Sequence, residues 1–290
     1  MIHKTTLYAF LKKIIPSSIF DFLKKSSMYR GAKKIGGKFL YSDFVSSWQT
    51  IKAGPLQGRR MFLDPHGSWQ KEIIEGKYDD FFFEFLKSVN LEGKVVYDVG
   101  VHIGVSTMYF AERVTPAGKV ISFEPHMLNL ERTRKNLEEN NDFADRVILV
   151  NKAISDTNRR ETFVFSNGVE SGTSSGSFLE SADTLYSKAE YEEEYGFKRC
   201  EVEVITLDSY ATENPKYNSP ALIKIDIEGG EYLALQGAKN ILKEIKPLLL
   251  IEIHSELNMN TISQQLSELN YEIKILKKES DGRLFISAQV

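Results

Sequence analysis

At 290 residues, with 42% hydrophobic and 27% charged residues, the chain has the composition of an ordinary soluble globular protein. Its net charge of −3 gives no whole-chain reason to expect nucleic-acid binding, and its single cysteine, Cys200, excludes an intramolecular disulfide framework and any multi-cysteine metal site. No apolar run approaches the ~18 residues needed to span a bilayer, and Lys12, Lys13 and Pro16 interrupt the N-terminal apolar stretch where a signal peptide would need continuity, so a cytoplasmic protein is expected.

The first 40 residues hold nine Lys/Arg against one acid, Asp21, a local charge of +8 that leaves −11 on the other 250. Tyr8, Phe10, Leu11, Ile14, Ile15, Ile19, Phe20, Phe22 and Leu23 alternate with those lysines at helical spacing. Such a basic amphipathic arm over residues 1–38 suits an anionic membrane surface; a helix packed on the body of the protein or on a second subunit reads the same way. Membrane docking predicts co-sedimentation with anionic vesicles at low salt, release as salt rises, and loss of both when the arm is removed. Equal sedimentation with and without the arm would exclude it. Residues 1–70 are expected to form this arm and an accessory segment, with strand candidates around Tyr41–Ile51 and Arg59–Leu63.

From Lys94 onward, short apolar runs alternate with amphipathic helices, the pattern of a parallel sheet covered on both faces. Lys94–Val99 predicts a first core strand and Gly104–Val114 the helix after it. Lys119–Phe123 predicts a second strand, followed by a charged helix from about Leu128 to Asn140, and Val147–Asn151 a third. Residues 155–205 are a long insertion with one strand at Glu161–Phe165, a flexible run Ser171–Ser177 and an acidic patch Glu190–Glu194. Leu222–Ile227 is the fourth strand, with a helix over Gly230–Leu242, and Leu248–Ile253 the fifth. The unbroken apolar character of these runs is expected of strands buried on both faces. Tyr271–Leu276 and Leu284–Val290 are separated by too few residues for a helical crossover and must pair as an antiparallel hairpin.

Asp98-Val-Gly-Val-His-Ile-Gly-Val-Ser106 ends a strand and opens a helix. Gly100 and Gly104 allow a sharp turn and close approach of a ligand to the backbone, and Asp98 is placed to hold a cationic amino group. Twenty residues past Gly104, Glu124 ends the second strand, where a carboxylate can accept both hydroxyls of a ribose; Pro125 biases it towards an extended conformation. A dinucleotide loop needs Gly-x-Gly-x-x-Gly to seat a pyrophosphate on a helix N-terminus. Here the spacing is Gly-x-x-x-Gly, and an acid two residues before Gly100 repels a pyrophosphate. The pattern therefore favours S-adenosylmethionine over a nicotinamide cofactor or a turn without a ligand, and makes residues 71–290 the domain that binds it. A parallel sheet closing on a C-terminal hairpin is likewise the plan of class I methyltransferases, giving an α/β Rossmann-like fold with a helical N-terminal extension as the expected architecture.

The sequence resembles the FkbM-type methyltransferase family over roughly Gly76 to His254. The family's loop usually reads Asp-Val-Gly-Ala-Asn-Ile-Gly; Val101-His102 replaces Ala-Asn, so His102 must supply the asparagine's contact or leave it unmade. Phe123-Glu-Pro125, Asn136-Leu137 with Asn140, and Ala153-Ile-Ser-Asp156 match further motifs. Ile225-Asp-Ile-Glu-Gly-Gly-Glu231 matches the most distinctive one, although its sixth residue is more often alanine, and Glu252-Ile-His254 matches the end-of-strand signature. The resemblance implies cofactor contacts at Asp98, Gly100, His102, Gly104, Ser106, Glu124, Asn151, Ala153 and Asp226, with the Ala153 stretch beside the adenine. It also implies methylation of a sugar or polyketide hydroxyl, with amine and carboxylate acceptors as alternatives.

Open parallel sheets bind ligands at the carboxyl ends of their strands, which makes His254, Asp226 and Glu228 the catalytic candidates. Glu228 and Glu231 also read as charges complementing a helix N-terminus, and His254 as a strand-end histidine satisfied by a neighbour. Methyl transfer to oxygen requires the hydroxyl to lose a proton, and histidine is a reasonable base. A divalent cation held by Asp226 and Glu252 is the alternative, and the residues alone do not choose between them. Two other readings are a nicotinamide-dependent oxidoreductase and a degenerate methyltransferase domain that binds a partner through its arm; the sequence is also compatible with an oligomer.

Overall fold

The computed structural model describes residues 46–290 except His66, 167–175 and 183–195. The basic arm, the acidic patch Glu190–Glu194 and most of the run Ser171–Ser177 lie outside the described residues. In chain order the elements are β1 (Ser47–Thr50), β2 (Arg60–Leu63), α1 (Ser68–Glu75), α2 (Asp80–Leu86), β3 (Val95–Val99), α3 (Val105–Val114), β4 (Lys119–Phe123), α4 (Met127–Glu139) and β5 (Val147–Val150). Then follow β6 (Ala153–Ile154), β7 (Arg159–Phe165), β8 (Phe178–Leu179), β9 (Lys198–Ile205), α5 (Leu207–Glu213), β10 (Pro220–Ile225), α6 (Glu231–Gln236) and α7 (Lys239–Glu244). The chain closes with β11 (Leu248–Ile253), α8 (Glu256–Glu268), β12 (Glu272–Lys278) and β13 (Leu284–Gln289). No helix of the described residues is long and apolar enough to cross a membrane.

The main sheet has seven strands in the order β12-β13-β11-β10-β3-β4-β5. The five expected core strands pair in parallel, and β13 runs antiparallel to both β11 and β12. The expected α/β plan with its C-terminal hairpin is therefore the observed one. Alternation along each strand divides the side chains between two cores. Tyr97, Val99, Ile121, Phe123, Ile223 and Ile225 face one, while Val96, Val120, Leu222 and Leu250 face the other. Fully burying each such side chain contributes about 1.5–3 kcal/mol, which is why both faces of these runs are apolar.

The chain builds β3, β4 and β5 outward in one direction, then returns to lay β10 on the other side of β3. That reversal opens a crevice at the carboxyl ends of β3 and β10, where a ligand binds in open α/β sheets.

Residues 46–70 lie in one compact unit with the rest of the described chain. Met61 and Leu63 of β2, with Ile51 and Leu56 of the connection from β1, share a core with Val96, Val120 and Leu250. The edge of β2 is covered by α4: Asn136 Oδ1 accepts the Phe62 N–H at 2.7 Å, and Asn140 Nδ2 donates to the Arg60 carbonyl at 2.7 Å. Otherwise unpaired strand backbone is thus satisfied.

Two other expectations change. The helix over Gly230–Leu242 is broken into α6 and α7 at Gly237, where an added Cβ would lie 2.0 Å from the Ser155 carbonyl oxygen. Asp208 then caps α7, accepting the N–H groups of Asn240 and Ile241 at 2.9 and 3.1 Å. The insertion is not one strand among loops but a second sheet, β6-β9-β7-β8, in which β7 and β9 pair antiparallel over seven residue pairs.

Candidate active site

The glycine loop and the β10 loop meet across the crevice. Gly100 has φ 84°, and a Cβ there would lie 1.8 Å from the Asp226 carbonyl oxygen. Gly104 has φ 90°, and its Cβ would lie 2.8 Å from Thr133 Cγ2 of α4. Both glycines are thus required by packing of protein on protein, a stronger constraint than approach of a ligand. Between them His102 sits at φ 52°, its ring 5.0 Å from that of Trp69. Burial holds the His102 imidazole down to about 4, so it is neutral at physiological pH.

Glu124 is the buried acid of this loop pair. Its Oε2 accepts the His102 N–H at 2.8 Å and its Oε1 the His126 N–H at 2.9 Å. Burial outweighs these donors and pushes its pKa up to about 7. Asn129 Nδ2 also reaches Oε1 at 3.4 Å, and the carboxylate lines a cavity of about 490 Å³, within the ~300–1,000 Å³ common for small-molecule sites. Ala153 and Ile154 line the same cavity. Asn151 does not: its Nδ2 donates to the carbonyls of Glu124 and Pro125 at 2.9 and 3.0 Å, bracing the turn from behind.

Asp98 is placed differently from expectation. It is fully buried, its Oδ2 accepting from Ser106 Oγ at 2.9 Å and Thr107 Oγ1 at 2.6 Å. Lys224, its register partner on β10, brings Nζ to 3.8 Å from Oδ1. An internal lysine thus supplies the cation expected from a ligand. Burial lifts the Asp98 pKa, with Lys224 pulling against it. Ser106 serves this buried cluster through its hydroxyl.

At the other side of the crevice, β10 and β11 bring Asp226, Glu228, Glu231, Glu252 and His254 together. Asp226 Oδ2 lies 3.2 Å from Lys224 Nζ, and Asp226 Oδ1 lies 3.8 Å from His254 Nε2. Burial works against the Asp226 charge, but Lys224 and His254 outweigh it and lower its pKa. Glu228, at φ 57°, places Oε2 3.3 Å from His254 Nε2. Glu231, fully buried, accepts from His254 Nδ1 at 2.9 Å and from the Gly229 N–H at 2.9 Å. Burial opposes the His254 cation, yet Glu228, Glu231 and Glu252 together hold its pKa well above 6.5.

Glu252, expected to share a metal with Asp226, is engaged elsewhere. Arg283 Nη1 stands 2.5 Å from its Oε1, and burial with the nearby Asp226 charge lifts its pKa to about 8. Among the described residues the donors that converge as a metal would need are Asp226, Glu228 and His254.

Lys224, Arg283, Trp69 and Tyr78 line the site without having been singled out from the sequence. Lys224 carried a signal, a cation inside a strand otherwise apolar from Leu222 to Ile225. Trp69, Tyr78 and Arg283 carried none, because helix α1, the loop after it and a distant hairpin deliver them.

A family model described as the Methyltransferase FkbM domain matches residues 98–273. A curated relative, the hexuronic acid methyltransferase AglP of Haloferax volcanii, is 22% identical over 218 residues, covering 73% of this chain and 77% of that one. Among solved structures, a methyltransferase FkbM from Methylobacillus flagellatus is similar at 17% identity and a TM-score of 0.47, over 70% of this chain. This chain spans 45% of that protein's length. A SAM-dependent O-methyltransferase from Thermotoga maritima is similar at 14% identity and a TM-score of 0.46, over 77% of this chain and 71% of its own. Since the family model spans more than half of the chain, beginning at Asp98 and running through both walls of the crevice, the protein belongs to the FkbM methyltransferase family and is a methyltransferase of the S-adenosylmethionine-dependent kind.

Proposed function

We propose that the protein methylates a hydroxyl group of a sugar or glycan, with a secondary-metabolite hydroxyl as the neighbouring class of acceptor. One observation carries this reading. A single cavity is lined by Glu124 and Ala153 beyond one side of β3, and by Asp226, Glu228 and the aromatic rings of Trp69 and Tyr78 on the other. The first set suits a nucleoside: Glu124 would hold the ribose hydroxyls and Ala153–Ile154 the adenine. The second suits a polar acceptor with an apolar face, as a sugar ring has, because aromatic side chains pack such faces while carboxylates accept its hydroxyls. The relative named for hexuronic acid methylation supports the sugar class.

When bound, S-adenosylmethionine supplies a methyl on a sulfonium, which the acceptor oxygen takes as the S–C electron pair returns to sulfur. The chain's part is to orient the hydroxyl and assist the loss of its proton. Asp226, Glu228 and His254 are the groups proposed for this, since they line or adjoin the cavity at the strand ends.

Calorimetry should show S-adenosylhomocysteine binding and no NAD binding, with Glu124→Ala weakening the former by ~1–3 kcal/mol, as for loss of a charged acceptor. Hydroxyl donors favour the ionised carboxylate, so affinity should rise as pH passes through about 7, where Glu124 titrates. Glu124→Gln should flatten that rise. NAD binding tighter than S-adenosylhomocysteine sinks the cofactor assignment. Transfer of labelled methyl to amines but to no hexose or uronic acid sinks the acceptor assignment.

A further inference from the structure

We infer that Asp226, Glu228 and His254 bind one divalent cation of the magnesium–manganese class, with Glu231 holding the histidine in the ligating orientation. One donor atom from each of the three residues lies within 4.8 Å of the other two. The inference uses the methyl-transfer reading for the cation's purpose and stands on the geometry for its binding.

The histidine carries the argument. His254 is 4% exposed, and its Nε2 has no hydrogen-bond partner although it faces Glu228 Oε2 at 3.3 Å, Glu252 Oε1 at 3.6 Å and Asp226 Oδ1 at 3.8 Å. A buried ring nitrogen without a partner costs about 1–3 kcal/mol of desolvation. Its other nitrogen is committed: Nδ1 is 2.9 Å from Glu231 Oε1. Glu231 is itself anchored by the Gly229 N–H at 2.9 Å and by Asn258 Nδ2 at 3.3 Å. A carboxylate fixing one imidazole nitrogen so that the other faces a metal is the usual arrangement around metal-bound histidines.

The neighbours divide the donors cleanly. Lys224 occupies Asp226 Oδ2 and leaves Oδ1 towards the histidine. Glu252 Oε1, although 3.6 Å from His254 Nε2, is held by Arg283 Nη1 at 2.5 Å, which leaves Asp226 and Glu228 as the carboxylates open to an ion. Among the described residues, the carboxylates of Asp98, Asp226, Glu228, Glu231 and Glu252 meet the basic side chains of Lys224, Arg283 and His254 here. Two carboxylate oxygens with one imidazole suit manganese or magnesium, and three protein ligands leave coordination positions open. A sugar hydroxyl ligated there becomes more acidic: it releases its proton to solvent and uses the retained electron pair to bond the methyl carbon, the sulfur recovering its own pair.

The test uses full-length protein freed of metal by chelator dialysis and titrated with Mn²⁺. Electron paramagnetic resonance should report about one bound ion per chain, with spin-echo modulation from an imidazole ¹⁴N. His254→Ala should abolish the nitrogen coupling, and Glu228→Gln should weaken Mn²⁺ affinity at least as much as Glu231→Gln, for which ~10–100-fold is expected. Thermal melts confirm that each variant is folded. Absence of tight Mn²⁺ binding, binding without ¹⁴N coupling, or affinity unchanged in Glu228→Gln overturns the inference. Methyl transfer that persists in chelator, with S-adenosylhomocysteine still bound, overturns the cation's role while leaving the methyltransferase reading intact. Mn²⁺ binding with the nitrogen signature but no sugar methylation upholds the cation site and condemns the acceptor assignment instead.

Discussion

Replacing His254 by alanine should lower turnover on the true acceptor by ~10²–10⁴, the range for losing a group that manages the transferred proton. Affinity for S-adenosylhomocysteine should change little, because Glu124, proposed to hold the ribose, ends β4 and is separated from the histidine's strand β11 by β10 and β3. A loss confined to the chemical step marks an interaction made in the transition state. The pH profile then tells how the imidazole acts. A histidine base gives an ascending limb that His254→Ala removes. The Nδ1 contact with Glu231 would support a base at Nε2, whereas the surrounding carboxylates favour the charged ring and so oppose that role in the metal-free cluster. If His254 is instead a ligand, Asp226→Ala should be equally damaging and a chelator should reproduce both effects. Near wild-type turnover in both variants with chelator present would exclude both roles and move the search to the segment between Ser166 and Arg199.

The second large effect is on stability. Gly100→Ala should cost ~3–5 kcal/mol, combining the left-handed backbone penalty with overpacking against β10. Gly58 is the control, because it has the same φ of 84° but nothing within 4 Å of an added Cβ. Gly58→Ala should cost only about 1–2 kcal/mol, the backbone penalty alone. The difference between their urea midpoints measures the collision with the Asp226 carbonyl, 1.8 Å from the added Cβ at Gly100. Since that collision lies between the two loops of the crevice, Gly100→Ala should also impair cofactor binding in whatever fraction remains folded. Equal costs at the two sites would show that the β10 loop yields without loss.

The core strands were legible in the sequence for a physical reason. A strand buried on both faces must be apolar throughout, so Val95–Val99, Lys119–Phe123 and Leu248–Ile253 stand out as runs whatever surrounds them. The closing hairpin was legible because its connection is too short to cross a sheet, and the loop glycines with Glu124 because each sits at a strand end with defined spacing. Partnerships were not legible, because sheet order and register bring together residues that no local pattern relates. Lys224 neutralises Asp98 from 126 positions away because β10 is laid beside β3 in register. Arg283 engages Glu252 because β13 pairs with β11. Gly237 breaks a helix whose own sequence favours continuation because the Ser155 carbonyl occupies the space of a side chain. Local composition determines which segments become strands, helices and loops; charge compensation, the identity of the converging donors and the constraint on each glycine are settled only when distant backbones come within a few ångströms of one another.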